Sequence, residues 1–194
     1  PEAWYRAIYF EENLAGFERK PSADRCSTSV SGPLGPDTIF CEGRARSEAD
    51  ARAAEDGGAD RLEVVRAIGE GGLTPEPALV RAIAGATALP LRVMVRENAG
   101  YETDAEELAS LLRAPAAFQA MRVDGLVIGF ASSGTLRIDP LTSVLEAVPG
   151  ASVTFHRAFD SLIEPLAAID TLSQITAIDR ILTSGGEGSP GERI

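Results

Sequence analysis

Short apolar runs alternate with helical patterns along most of the chain. The runs are four to six residues long, contain many β-branched residues and are mostly apolar on both faces. Such runs are typical of a parallel sheet covered by helices, because a half-exposed antiparallel strand alternates apolar and polar residues instead. The pattern predicts six strands: Thr38–Glu42, Arg61–Val65, Leu91–Arg96, Leu126–Phe130, Ser152–His156 and Arg180–Thr183.

A helical pattern with its own start signal follows each of the first five runs. Ser47 precedes Asp50 by three residues in a capping-box-like arrangement, and Thr103 precedes Glu106 in the same way. The other helix starts carry a proline where the first turn is expected, which favours helix initiation. These starts are Thr74-Pro75, Asp139-Pro140 and Pro165.

The spacing of the strands predicts the fold class. Successive strand markers are separated by 23, 30, 34, 27 and 28 residues, which is a βα repeat; the markers are Ile39, Leu62, Arg92, Leu126, Val153 and Ile181. A (β/α)8 TIM barrel uses roughly 30 residues per unit, so we expect a barrel of which six of eight units are present, as a fragment lacking about 60 residues at its C-terminus. The alternative is an open doubly wound sheet, which the absence of a GxGxxG motif after the first strand disfavours.

The first 37 residues differ from the rest of the chain. Five of the eleven aromatic residues fall within positions 1–17, and the spacing of Trp4 and Ile8 is that of one helix face. Positions 19–37 are rich in Ser, Pro and Gly, which is typical of a linker. We therefore predict an N-terminal extension over 1–37, with a helix and a linker, and a barrel domain over 38–194.

Composition narrows the possible partners. The net charge of −11 disfavours binding to nucleic acid phosphates or anionic lipid, and no apolar run is long enough for a membrane span. Because no signal peptide opens the sequence, we expect a cytoplasmic protein. Cys26 and Cys41 lie fifteen positions apart without a CxxC motif, so neither a disulfide framework nor a zinc site is indicated.

Candidate functional residues fall where the predicted strands end. TIM-barrel active sites lie at the carboxyl ends of the strands, where the only histidine of the chain ends the fifth run. The candidates for catalysis are His156, Glu63 and Glu42, and those for ligand binding are Arg96, Arg157, Asp160, Thr183, Ser184 and Gly185.

Two of these residues have more than one interpretation. A carboxylate within the apolar run of strand two needs a partner, so we expect Glu63 to pair with Arg96 or Arg157, in a functional site or in a structural ion pair. His156 could be a general acid or base, a metal ligand or a hydrogen-bonding anchor. Alternation along strand five predicts that Val153 and Phe155 pack against helices, which would turn His156 towards the barrel mouth.

Four motifs, in order and spacing, closely resemble the CutC family of copper homeostasis proteins. The resemblance implies a TIM barrel that is usually homo-oligomeric and cytoplasmic, with copper handling and copper binding as its function. Glu42, Glu63, Arg96, His156, Arg157 and Asp160 fall on matching positions. The four motifs are Gly58–Glu63, Glu70–Pro75, Val153–Asp160 and Ile181–Gly185.

The chain departs from this family where soft metal ligands are expected. Arg44 and Val65 occupy the places of two family cysteines. Cu(I) prefers thiolate and thioether ligands, so the most plausible soft site is lost and the metal ligands are unknown. Two functions therefore stay open: copper binding, or an enzyme that acts on a small anionic or polyhydroxylated molecule through a His/Arg/Glu site.

Overall fold

The computed structural model describes residues 42–121 and 123–184. The predicted extension over 1–37, both cysteines and Gly185 lie outside these residues. None of the helices in the described part of the chain is long and apolar enough to cross a membrane.

Six parallel strands form the main sheet, and a small antiparallel hairpin (β5 and β6) lies outside it. The order in the main sheet is β1-β2-β3-β4-β7-β8, so neighbouring strands follow one another along the chain apart from the hairpin. This is the arrangement of six consecutive βα units of a TIM barrel. The strands are β1 (Glu42–Ala45), β2 (Arg61–Val64), β3 (Leu91–Met94), β4 (Gly125–Ile128), β5 (Ala131–Ser132), β6 (Thr135–Leu136), β7 (Ser152–Phe155) and β8 (Ile178–Ile181).

Five α-helices follow the strands as predicted, but α4 begins at Ile138 with Arg137 at its cap position, not at the predicted Asp139 cap. The Ser47 cap is confirmed, because its hydroxyl accepts a hydrogen bond from the Asp50 N–H at 3.1 Å. The predicted Thr103 cap is wrong by one residue: Asp104 caps that helix and forms a complete capping box with Glu107. The helices are α1 (Glu48–Asp56), α2 (Pro77–Ala86), α3 (Ala105–Gln119), α4 (Ile138–Ala147) and α5 (Pro165–Ser173).

Thr74 does not cap a helix as predicted, because α2 begins three residues later. Its hydroxyl donates to the Arg96 carbonyl at 2.9 Å and accepts from the Arg96 N–H at 2.8 Å. The Thr-Pro signal therefore marks a link between the loop after β2 and the end of β3. This link fixes the backbone from which the Arg96 side chain extends.

The two faces of the main sheet have different characters. The outer face packs on the helices, and Val153 and Phe155 are fully buried there with Val80 of α2 and Leu111 of α3 in one apolar core. The inner face is largely polar, although Val65, Met94 and Val127 form a small apolar cluster of their own. Thr154 and Glu63 are buried on this inner face.

A chain of ion pairs connects the amino ends of the strands, and we call it the basal ladder. Arg61 of β2 binds Glu42, and Arg92 of β3 binds Asp124 at 2.8 Å and Asp179 of β8 at 2.7 Å. The Arg92 guanidinium can lie there because β4 begins with glycine: a Cβ at Gly125 would be 2.8 Å from Arg92 Nη1. The basal ladder therefore joins strands that are not neighbours in the sheet.

Candidate functional site

A cavity of about 290 Å³ opens at the carboxyl ends of the strands, and we call it the mouth cavity. The short 3₁₀ helix Ile68–Glu70 after β2 and the loop after β3 form its walls. Side chains on the inner face of the sheet and at the strand ends form the rest. The lining residues are Arg44, Ile68, Gly69, Glu70, Gly71, Met94, Arg96, Ala99, Tyr101, His156, Arg157 and Leu182.

Arg96 is held in the mouth cavity by the loop that follows it. Its Nε donates to the Gly100 carbonyl at 3.1 Å, its Nη2 donates to the Ala99 carbonyl, and its guanidinium lies 4.8 Å from the centre of the Tyr101 ring. Within the described residues, no carboxylate forms an ion pair with Arg96. Burial lowers the pKa of Arg96 from its ordinary value, which reflects the cost of a partly desolvated cation. An anion beside Arg96 would relieve that cost.

His156 lies at the inner end of the mouth cavity and is 2% exposed. Its Nδ1 accepts a hydrogen bond from the Ala158 N–H at 3.1 Å, and its ring centre lies 5.4 Å from that of Tyr101. Burial lowers the pKa of His156 to about 3, and the charges of Arg96 and Arg44 act in the same direction. The imidazole is therefore neutral at physiological pH.

Glu63 is fully buried on β2, and its partner is Arg44, not the predicted Arg96 or Arg157. Arg44 Nε donates to Glu63 Oε2 at 3.3 Å, because the two residues lie opposite each other in the register of β1 and β2. Burial raises the pKa of Glu63 to about 7, although Arg44 lowers it. A carboxyl group with this pKa can exchange a proton near neutral pH.

Asp160 connects the ends of β7 and β8 and does not line the mouth cavity. Its carboxylate accepts hydrogen bonds from Thr183 Oγ1 at 2.5 Å, Ser184 Oγ at 2.8 Å and Arg157 Nε at 3.0 Å. Burial raises its pKa, but these hydrogen bonds outweigh burial, and the pKa of Asp160 is lowered from its ordinary value. Among Asp160 and these three partners, only Arg157 lines the cavity. Asp160 therefore orients the Arg157 side chain through the hydrogen bond from Nε.

Glu42 lies at the opposite end of the barrel from the mouth cavity. The prediction that Glu42 lies at the mouth is therefore wrong. It is the first residue of β1, where the sequence pattern predicted the last residue of a strand. Both Glu42 and its partner Arg61 are buried, with Arg61 Nε 2.7 Å from Glu42 Oε2. Glu42 is therefore part of the basal ladder, where it compensates the Arg61 charge.

Of the lining residues that were not among the predicted site residues, Arg44, Tyr101 and Met94 bring the side chains most relevant to binding. Arg44 could have been found by alternation, because it follows the inward-facing Glu42 by two positions on the same strand. Tyr101 lies in the loop after β3, and no periodic pattern indicates its position. Met94 belongs to the apolar run of β3, so its contribution to the cavity cannot be distinguished from that of a core residue.

The cavity lining does not fit a preformed copper site. No group of three or more His, Cys, Asp or Glu side chains in the described ranges is arranged to hold a metal ion. Arg44 brings a cation into the cavity, and Val65 does not line it but packs with Met94 and Val127 in the inner apolar cluster. Met94 is the soft donor that the lining offers.

Comparison with known proteins places this barrel in a family. The chain is 34% identical over 134 residues to a family protein CutC of Photobacterium profundum, covering 68% of this chain and 54% of that protein. It is 33% identical over 138 residues to the copper homeostasis protein cutC homolog of Homo sapiens, covering 70% of this chain and 50% of the human protein. The chain thus spans about half the length of the curated relatives it matches.

The fold has a solved counterpart. The structure of the copper homeostasis protein CutC from Streptococcus agalactiae superposes with a TM-score of 0.70 at 23% identity, covering 80% of this chain and 76% of that one. This agreement confirms the predicted TIM-barrel fold. The sequence profile of the CutC family matches residues 42–193, more than half of the chain, and the chain therefore belongs to the CutC family.

Proposed function

We propose that the mouth cavity binds a small anionic molecule, with Glu63 beneath it as the candidate proton donor or acceptor. The observation that carries the proposal is the guanidinium of Arg96. It lies in a concave site, oriented by two backbone carbonyls and the Tyr101 ring, without a carboxylate partner among the described residues. A guanidinium oriented in this way is well suited to bind a carboxylate or phosphate group.

The neighbouring side chains support the same class of ligand. Arg157 adds a second positive charge at the rim of the cavity, with its orientation set by Asp160. Glu63 lies below on the inner face with a pKa of about 7, which suits a general acid or base. His156, with a pKa of about 3, does not take up a proton at neutral pH and contributes as a neutral hydrogen-bonding group.

Binding of inorganic phosphate and of pyruvate, measured by calorimetry, tests this proposal. We expect Arg96→Gln to weaken binding by roughly 10-fold to 100-fold, the usual effect of losing a hydrogen bond to a charged group. Arg113→Gln is the matched control, because Arg113 is an exposed arginine of α3. Equal affinities of wild type and Arg96→Gln for both anions would contradict the proposal.

Copper binding is the second candidate function. The names of the human and streptococcal relatives favour it, and so does the Met94 thioether in the cavity lining. A single thioether beside Arg44 and Arg96 is a weak site for Cu(I), because both cations oppose the charge of the ion. The surviving hard donors and cations favour the anionic ligand over copper.

A competition titration with a Cu(I) chelator separates the two functions. We expect weak Cu(I) binding that depends on Cys26, Cys41, Met94 or Met121, and each can be replaced by Ser or Leu in turn. Comparing Met94→Leu with Met121→Leu shows whether the cavity contributes, because Met121 packs against the outer core and does not line the cavity. Tight stoichiometric binding that survives the loss of both cysteines would mean that other groups bind the metal.

A further inference from the structure

Three buried polar atoms on the inner face of the barrel lack hydrogen-bond partners among the described residues. They are Glu63 Oε1, Thr154 Oγ1 and His156 Nε2. Buried polar atoms in folded proteins are nearly always paired, so an unpaired one calls for an explanation. Glu63 and Thr154 belong to the strands beneath the mouth cavity, and His156 directly follows β7 and is itself part of the lining.

The hydrogen bond at the other ring nitrogen determines where the His156 proton lies. The Ala158 N–H can only donate, so the Nδ1 that accepts from it must present a lone pair. A neutral imidazole has one N–H, and that proton must then be on Nε2. His156 Nε2 is therefore a buried donor whose acceptor is missing from the described part of the structure.

Packing against Gly129, the residue directly after β4, fixes the orientation of the ring. A Cβ at Gly129 would lie 2.8 Å from His156 Nδ1 and 3.0 Å from Cε1, so this edge of the imidazole is packed against backbone. The Tyr101 ring lies beside it, with the ring centres 5.4 Å apart. His156 lines the mouth cavity, and its buried Nε2 is the ring nitrogen that these contacts leave available for a partner.

We propose that His156 is a fixed hydrogen-bond donor that selects ligands with an acceptor oxygen, in addition to the anionic group bound by Arg96. Thr154, two residues earlier on the same face of β7, carries a second buried polar atom without a partner in the described structure, although Thr154 does not line the cavity. The ligand class is then a small carboxylate or phosphate that also carries a carbonyl or hydroxyl oxygen. The anionic part of this inference rests on the proposed function, whereas the donor assignment does not.

The same geometry makes His156 a poor metal ligand. To coordinate a metal through Nε2, the ring would have to move its proton to Nδ1, where it would face the N–H of Ala158. Two donors would then oppose each other in a buried site, at the cost of the existing hydrogen bond. His156 is thus a specificity-determining residue for an oxygen ligand.

The single histidine of the chain makes the test direct. In the intact chain labelled with ¹⁵N-histidine, both ring-nitrogen signals come from His156, because the sequence contains no other histidine. At neutral pH we expect the proton on Nε2. Pyruvate should shift the Nε2 signal and bind about tenfold more tightly than propionate, which has the same carboxylate and chain length but lacks the oxo group.

Variants locate the source of this preference. Thr154→Val preserves shape and removes the hydroxyl, so it should reduce the preference for pyruvate over propionate. His156→Gln should reduce the preference further, and Thr154→Val gives the answer if the histidine variant does not fold.

Each outcome decides a separate part of the inference. A proton on Nδ1 would overturn the donor assignment, and equal binding of pyruvate and propionate would overturn the ligand selection. If neither acid binds, the proposed anion site has failed, while the proton position measured without ligand still decides the role of His156.

Discussion

Glu63→Gln should remove a pH dependence of stability that the buried carboxyl gives to the wild-type protein. Glu63 has no exposed surface, one of its oxygens has no partner in the described structure, and Arg44 lies 3.3 Å from the other. Gln keeps the shape of the side chain and can still present its oxygen to Arg44. The substitution therefore removes the titration with little change in packing.

The expected magnitude follows from the raised pKa. Between pH 4.5, where the unfolded carboxyl loses its proton, and about pH 7, where the folded one does, only the folded state keeps the proton. The free energy of unfolding must then fall as the pH rises through this window. At about 1.4 kcal/mol per pH unit, the wild type should lose roughly 3 kcal/mol relative to Glu63→Gln.

Chemical denaturation of both proteins from about pH 4 to about pH 8 measures this loss. The difference between the two proteins isolates Glu63. His156, whose pKa of about 3 makes stability fall as the pH is lowered from 6.5, contributes equally to both. Glu146→Gln is the control, because Glu146 is an exposed carboxylate on α4. The reasoning would be refuted if the difference in unfolding free energy between wild type and Glu63→Gln stayed constant across this pH range. It would also be refuted if the wild type gained stability relative to Glu63→Gln as the pH rises.

Two further predictions test the packing around the site. Gly129→Ala should displace the His156 ring, because the new Cβ would lie 2.8 Å from Nδ1. We expect the free energy of unfolding, measured by denaturation, to fall by about 1–3 kcal/mol and the ¹⁵N signal of His156 to change. Gly85→Ala, whose Cβ meets no atom within 4 Å, should cost nothing, and equal behaviour of the two variants would contradict this. Asp160→Ala should increase amide exchange at Ser184 and weaken anion binding through Arg157, whereas unchanged exchange would show that Asp160 does not hold this loop.

The sequence predicted the outer layer of the barrel better than the inner one. Val153 and Phe155 were recognised because an apolar residue facing a helix gives a clear period-two signal. Strand β1, whose sequence is Glu-Gly-Arg-Ala, was placed too early, because its inner face carries charges and does not resemble a buried strand. For the same reason β8, with Asp179 and Arg180 at its centre, begins two residues before the predicted run.

The sequence could predict where the candidate site lies but not which charged residues pair with each other. His156, Arg96 and Arg157 reach the mouth cavity because each follows the carboxyl end of a strand. The partner of Glu63 could not be predicted, since three arginines were available and the register of β1 against β2 selects Arg44. Sequence supplies the charges, whereas their pairing depends on register and side-chain reach.

The basal ladder has a consequence for the order in which the barrel folds. Arg92 and Asp124 are 32 residues apart in the chain, but Arg92 and Asp179 are 87 apart. Closing the longer loop costs only about 1 kcal/mol more in chain entropy than closing the shorter one. However, this contact cannot form until β8 has docked on β7. The bond from Arg92 to Asp179 is therefore a late event of folding, and it should slow the opening of the finished barrel more than it speeds its formation.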